Sequence, residues 1–225
     1  MIKAVIFDMD GVLIDSEPMY LKIEWEFAKT KNPDVKYEEL FPMVGATKQD
    51  AWTVMERAIH NGQTWQELRM EFKNKVDLFT NTDYTKVFRS EAREILKWLE
   101  ERGYKMAVAS STQLEVVERV MRDNQIDRYF EAMVSGDQFT MSKPDPEIYH
   151  YTAAKLGVKE EECLVVEDSN VGILAAHRAG MKVAALYDSR FLFDQHLADY
   201  HIRDLRETAD ILTKLSDSAE RKGGI

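Results

Sequence analysis

Residues 5–17 read VIFDMDGVLIDSE: a run of Val, Ile and Phe that stops at two acids, Asp8 and Asp10, separated by Met9 and followed by Gly11. A short β-branched and aromatic run bounded by a turn signal reads as a buried strand. Two carboxylates do not belong inside such a strand, because an ionised acid removed from water without a partner is strongly disfavoured. Asp8 and Asp10 are therefore either exposed turn residues or groups held together for a task, and the rest of the chain decides between these.

Similar runs recur at 106–109, 132–135, 164–166 and 183–186, and between the later ones lie amphipathic stretches of helical period at 114–121 and 148–156. Strands alternating with helices predict an α/β fold with a doubly wound parallel sheet, covered on both faces. Residues 15–85 break this rhythm. EPMYLKIEWEFAKTKN (17–32), TKQDAWTVMERAIHN (47–61) and TWQELRMEFKNKVDLF (64–79) carry apolar residues at three- and four-residue spacing and no strand run. They predict an inserted all-helical unit, with Trp25, Phe27, Trp52, Trp65 and Phe72 as its core. Asn32-Pro33 and Phe41-Pro42 punctuate it, and 81–83 reads as its exit. The expected division is a core of 1–14 with 86–225 and a helical unit of 15–85. A further helix at 90–102, closed by Gly103, leads to the second strand.

The 225 residues suffice for such a core. With 30 basic against 40 acidic residues, a net charge of −10, the chain lacks the basic surface that nucleic acid requires. The single cysteine, Cys163, excludes an internal disulfide and reads as an inert thiol in a buried strand. The apolar run at the N-terminus is too short and too acidic for a signal peptide, and no segment approaches the ~18 apolar residues of a membrane span. A soluble, cytoplasmic monomer is expected.

In an open parallel sheet, ligands bind outside the carboxyl ends of the strands. Those ends carry Asp8 and Asp10; Ser110, Ser111 and Thr112; a path through Gly136 and Asp137 to Lys143-Pro144; and Glu167, Asp168 and Ser169. Carboxylates converging within ~4 Å repel by about 4 kcal/mol per pair at an effective dielectric of 20, so a cation must offset them. All-oxygen ligation suits Mg²⁺, and Lys143 adds a point charge beside phosphate. The serines precede a helix whose free N–H groups favour an anion. Taken singly, each feature also reads as a helix cap or turn; their joint placement after successive strands points to a phosphate-accepting site.

DMDG after the first strand, VASS after the second, Lys143-Pro144 and VEDSNVGI, in that order, resemble the four motifs of the haloacid dehalogenase superfamily. The helical insertion after the first motif is similar to the cap of its β-phosphoglucomutase and small sugar-phosphate phosphatase branch. The resemblance implies that Asp8 is the nucleophile that forms an aspartyl-phosphate, and that Asp10 is acid and then base. Mg²⁺ would be held by Asp8, Asp168 and the Asp10 carbonyl, with Glu167 orienting its water. Ser110, Ser111 and Lys143 would bind phosphate, and the cap would close as a lid hinged near 14–17 and 81–85.

Where the mutase of this branch carries a lid histidine, Tyr20 stands here, and tyrosine does not exchange protons near neutral pH. Gly45, Thr47 and Lys48 match the cap's substrate loop. A lid lysine also resembles phosphonoacetaldehyde hydrolase, but that relative lacks the second acid that Asp10 supplies. The resemblance thus implies a Mg²⁺-dependent phosphomonoester hydrolase for a small phosphorylated metabolite, a sugar phosphate. The alternative is an intramolecular phosphotransferase; a phosphonatase or a silent metabolite-binding module ranks below both.

Overall fold

The computed structural model describes residues 1–76, 79, 82–191 and 193–223. Its strands are β1 (Ala4–Phe7), β2 (Lys105–Ser110), β3 (Ala132–Ser135), β4 (Cys163–Glu167), β5 (Lys182–Leu186) and β6 (Tyr200–Ile202). They form one sheet in the order β3-β2-β1-β4-β5-β6, every neighbouring pair parallel. β6 was not expected from the sequence. It is a three-residue edge strand containing an exposed His201, too short and too polar to show a period.

The helices are α1 (Glu17–Lys31), α2 (Lys48–Ile59), α3 (Trp65–Lys75), α4 (Ser90–Glu101), α5 (Leu114–Asp123), α6 (Glu147–Leu156), α7 (Asn170–Arg178) and α8 (Glu207–Gly223). Side chains alternate across the sheet. Val5 and Phe7 pack with buried residues of α4, α5 and α8. Ala4 and Ile6 pack with those of α6 and α7. Both faces are therefore covered, which is why β1 is apolar at every position rather than at alternate ones. After α4 the chain turns at Gly103 with φ +72°, the left-handed region that favours glycine. The polar stretch after Ser216 continues α8 as far as Gly223. Cys163 is buried, and burial pushes its thiol up to about 12, so it packs rather than reacts.

A third hydrophobic cluster lies in α1–α3. Leu21, Phe27, Trp52, Met55, Leu68 and Phe72 are buried, with Trp25 and Trp65 packed against them. Phe27 meets Phe72 edge-on at 5.2 Å. Thr47 caps α2 by accepting from the Asp50 amide, and Thr64 with Glu67 forms a capping box on α3.

The chain runs from β1 to this cluster through 11–16 and returns through 84–89, and the two passages bond to each other. The Asp15 amide donates to the Val87 carbonyl at 2.7 Å, and the Arg89 amide to that of Leu13 at 3.1 Å. Arg89 also donates to the Gly11 carbonyl at 3.1 Å. Of the expected hinge positions, Asn81 lies outside the described residues. Among the described residues, no helix is long and apolar enough to cross a membrane.

Candidate active site

Register sets the site. Phe7 is level with Val108 on one side and Val166 on the other, so Asp8, Ala109 and Glu167 come next at one height on the same sheet edge. Into their midst reaches Lys143, 5% exposed, from the segment between β3 and α6. Its Nζ donates to Asp8 Oδ1 at 2.6 Å, to Glu167 Oε1 at 2.7 Å and to the Ala109 carbonyl at 3.0 Å. Burial by itself would lower the pKa of Lys143, but Asp8 and Glu167 outweigh it and hold the ammonium well above its usual range.

Glu167 is wholly buried and fully engaged. Besides Lys143, its Oε1 accepts from the Tyr149 hydroxyl at 3.1 Å. Its Oε2 accepts from the Asp168 amide at 2.9 Å and from the Ser169 amide and hydroxyl, each at 3.0 Å. Two glycines of the sequence motifs owe their identity to these acids. A Cβ on Gly172 in the first turn of α7 would lie 1.6 Å from Glu167 Oε1, and one on Gly11, with φ +79°, would lie 2.0 Å from Asp168 Oδ2.

Asp10 is held separately. Its Oδ1 accepts from Ser16 Oγ at 2.6 Å and its Oδ2 from Thr112 Oγ1 at 2.7 Å. The Thr112 amide in turn donates to Ser110 Oγ at 3.0 Å. Burial raises the Asp10 pKa, and these two hydroxyls pull it the other way.

Asp8, Glu167 and Asp168 are buried and offer carboxylate oxygens within 4.8 Å of one another. Burial pushes Asp8 up to about 8 against the pull of Lys143, and burial followed by the charge of Glu167 raises Asp168 well above the usual carboxylate range. A buried, all-oxygen donor set that concentrates negative charge beyond what one lysine offsets fits a hard divalent cation such as Mg²⁺. The Asp10 side chain is not part of this cluster.

The site opens into a cavity of about 290 Å³. Asp8, Asp10, Ser110, Ser111, Lys143 and Asp168 line it from the sheet side, and Glu17, Tyr20, Glu24 and Gly45 from the helical side. Tyr20 and Tyr84 hydroxyls lie 3.1 Å apart. Gly45, with φ +68°, has no room for a side chain, since a Cβ would meet Phe193 at 2.8 Å and Ser169 at 3.1 Å. Thr47 and Lys48 do not reach this cavity. They line an adjoining outer one of about 860 Å³, together with Arg69 and Lys73. Ser111, Thr112, Glu24 and Lys143 border both.

Four contributors carried no assigned role in the sequence reading. Thr112 stood among the strand-end hydroxyls, and Ser16 inside the opening motif, but nothing in the sequence aims either at Asp10. Tyr149 follows the Lys143-Pro144 motif in the next helix and Gln195 lies far from every motif, and only the fold brings them to Glu167 and Asp168.

Comparison with known proteins gives a consistent picture. The family model of haloacid dehalogenase-like hydrolases matches residues 5–186. A phosphorylated carbohydrates phosphatase from Thermotoga maritima is 32% identical over 200 residues, covering 85% of this chain and 90% of that protein. Hexitol phosphatase B from Escherichia coli is 31% identical over 217 residues, covering 92% and 94%. The crystal structure of β-phosphoglucomutase from Clostridium difficile superposes with a TM-score of 0.73 at 19% identity, over 97% of this chain and 99% of that one, and shares the fold. With its parallel sheet, its carboxylate cluster and this match over most of its length, the chain belongs to the haloacid dehalogenase-like hydrolases.

Proposed function

We propose that this protein is a Mg²⁺-dependent phosphatase acting on a small phosphorylated carbohydrate through an aspartyl-phosphate on Asp8. One observation carries the reading: Asp8, fixed by Lys143 at 2.6 Å, and Asp10, fixed by two hydroxyls, line one small cavity. The relatives named as carbohydrate and hexitol phosphatases point to the substrate class.

An Asp8 carboxylate oxygen attacks phosphorus, and Lys143, donating to Oδ1 at 2.6 Å, holds the carboxylate in place. As the P–O ester bond breaks, Asp10 gives its proton to the departing oxygen; it is suited to this because burial favours its protonated form. Asp10 then takes a proton from the water that attacks the aspartyl-phosphate, which releases phosphate and restores Asp8. Ser110, Ser111 and Lys143 bind the phosphoryl oxygens and stabilise their charge.

Mg²⁺ would be held by Asp8, Asp168 and the Asp10 carbonyl, and when bound it neutralises charge on the phosphoryl group. Glu167, whose oxygens already serve Lys143, Tyr149 and the turn into α7, acts through Lys143 and Asp168. Residues 15–85 serve as the cap that encloses the leaving group, with Tyr20 and Gly45 over the inner cavity and Thr47 and Lys48 bordering the outer one.

The test is phosphate release from a panel of sugar and polyol phosphates with Mg²⁺, together with intact-mass detection of a phosphate adduct that Asp8→Asn abolishes. Turnover without any adduct refutes the covalent route. Intramolecular transfer, which begins with the same aspartyl-phosphate on Asp8, is the second reading. Supplying β-glucose 1-phosphate with a trace of the bisphosphate separates the two: glucose 6-phosphate marks the transferase, free phosphate the hydrolase.

A further inference from the structure

The connection from β5 to β6 leaves the sheet, touches the helical unit and returns to the site. Phe191 is 6% exposed and belongs to the hydrophobic cluster of α1–α3, its ring edge-on to Phe41 at 5.8 Å. Phe193 lies against Gly45. Gln195, 7% exposed, then turns back towards the sheet. Its Nε2 donates to the Asp168 carbonyl at 2.8 Å and to the Leu186 carbonyl at 2.9 Å.

Gln195 is itself braced from behind. Its own carbonyl accepts from the Ala198 amide at 3.0 Å and lies 3.2 Å from Nε2 of His201 on β6. Both N–H bonds of the amide are thus committed to backbone carbonyls in a place shut off from water. The Asp168 residue is consequently gripped at both ends of its backbone, its amide by Glu167 at 2.9 Å and its carbonyl by Gln195. Its carboxylate, by contrast, accepts no hydrogen bond among the described residues, so the direction in which it points depends on that backbone grip.

We infer that Gln195 is a positioning residue for Asp168, and that Phe191 seats the same connection in the helical unit, so that the packing of that unit is felt at a metal-binding carboxylate. The inference rests on the proposed role of Asp168 as a Mg²⁺ ligand. Partners of this kind set the orientation of the group that binds the ion, and removing one costs roughly 10- to 100-fold in metal affinity. Coupling through packed side chains is weaker, on the order of 2- to 30-fold.

The experiment is a Mg²⁺ titration of the full chain without substrate, by calorimetry and by metal-dependent thermal stabilisation. Gln195→Leu keeps the side chain's bulk and removes both donors, and is expected to weaken Mg²⁺ binding about 10-fold or more. Should Gln195→Leu not fold, Gln195→Asn, which retains the amide but shortens its reach, is expected to lose affinity in the same direction. Phe191→Ala, which does not line the inner cavity, is expected to weaken Mg²⁺ binding by at least about 2-fold. Wild-type Mg²⁺ affinity in the folded Gln195 variant overturns the positioning role. Unchanged Mg²⁺ affinity in Phe191→Ala overturns the coupling. A wild-type chain that binds no Mg²⁺ overturns the proposed function instead, which keeps the two failures apart.

Discussion

The sheet edge and the helical wall that faces it are built on opposite plans. At the sheet edge, Lys143 makes three hydrogen bonds, Glu167 accepts five and Asp10 is clamped by two hydroxyls. On the wall, Glu17, Glu24, Lys48, Arg69 and Lys73 line the cavities without a hydrogen bond or ion pair among the described residues. Burial alone pushes Glu24 up to about 7. A group that must meet a transition state repeatably is worth fixing before substrate arrives. A group that must recognise the rest of a substrate is left free to find its partner there. Under the proposed function, the contrast puts chemistry on the parallel sheet and selection on the helices.

The largest effect that would break this division lies at Asp8. Asp8→Asn is expected to lower kcat on the order of 10⁴-fold, in the range seen when one member of a catalytic unit is removed, while near-ultraviolet circular dichroism stays native. Lys143→Met comes next, because it leaves Asp8 and Glu167 buried without their ammonium. Denaturant unfolding of the metal-free variant should show a loss of about 3–5 kcal/mol, as for other broken buried pairs. A Lys143→Met protein of wild-type stability would mean that the sheet edge is not electrostatically tuned.

A pH titration sharpens the same point. Burial raises Asp8 from an ordinary 3.8 to about 8, so between those values the metal-free folded state keeps a proton that the unfolded chain has released. The stability linked to this proton is present at low pH and is lost as pH rises towards 8. Metal-free protein should therefore unfold more easily at pH 8 than at pH 5, Asp8→Asn should lessen that slope, to which Glu24 and Asp168 also contribute, and Mg²⁺ should bind more tightly as pH rises because it displaces the proton. Thermal melts across pH, with and without Mg²⁺, check all three.

The helical wall should respond more mildly. Glu24→Gln is expected to raise KM for the preferred substrate by about 10-fold or more, the worth of one hydrogen bond to a charged acceptor, with kcat and stability nearly unchanged. A fall in kcat with KM constant would place Glu24 among the catalytic groups instead. Smallest of all, Tyr20→Phe removes the hydroxyl 3.1 Å from Tyr84 and should cost about 0.5–1.5 kcal/mol in stability by thermal melts.

Much of the core was legible in the residues themselves. Five of the six strands show as apolar runs because both faces of the sheet are covered, so every position carries the signal. The motif acids and Lys143 were legible because they interrupt or follow such runs, where a charge needs a reason. The helical unit announced itself by period, and its aromatics indeed form a common cluster. β6 was lost because three residues cannot display a period; Ser16, Thr112 and Gln195 because a hydroxyl or amide in a loop looks the same whether or not it meets an acid; and Tyr149 because a buried tyrosine on a helix reads as packing.

The amino-acid order by itself determined which segments are strands and helices, and therefore which acids, hydroxyls and lysine are delivered to the carboxyl edge of the sheet. That much follows from local hydrophobic pattern and from the placement of charge at strand ends. Only the tertiary structure decided which oxygen each donor meets, that Gly11 and Gly172 must lack side chains, and that Gln195 grips the backbone of Asp168 from 27 residues away. Those are contacts at distance, set by strand register and by the path of loops, and no period or motif in a linear sequence encodes them.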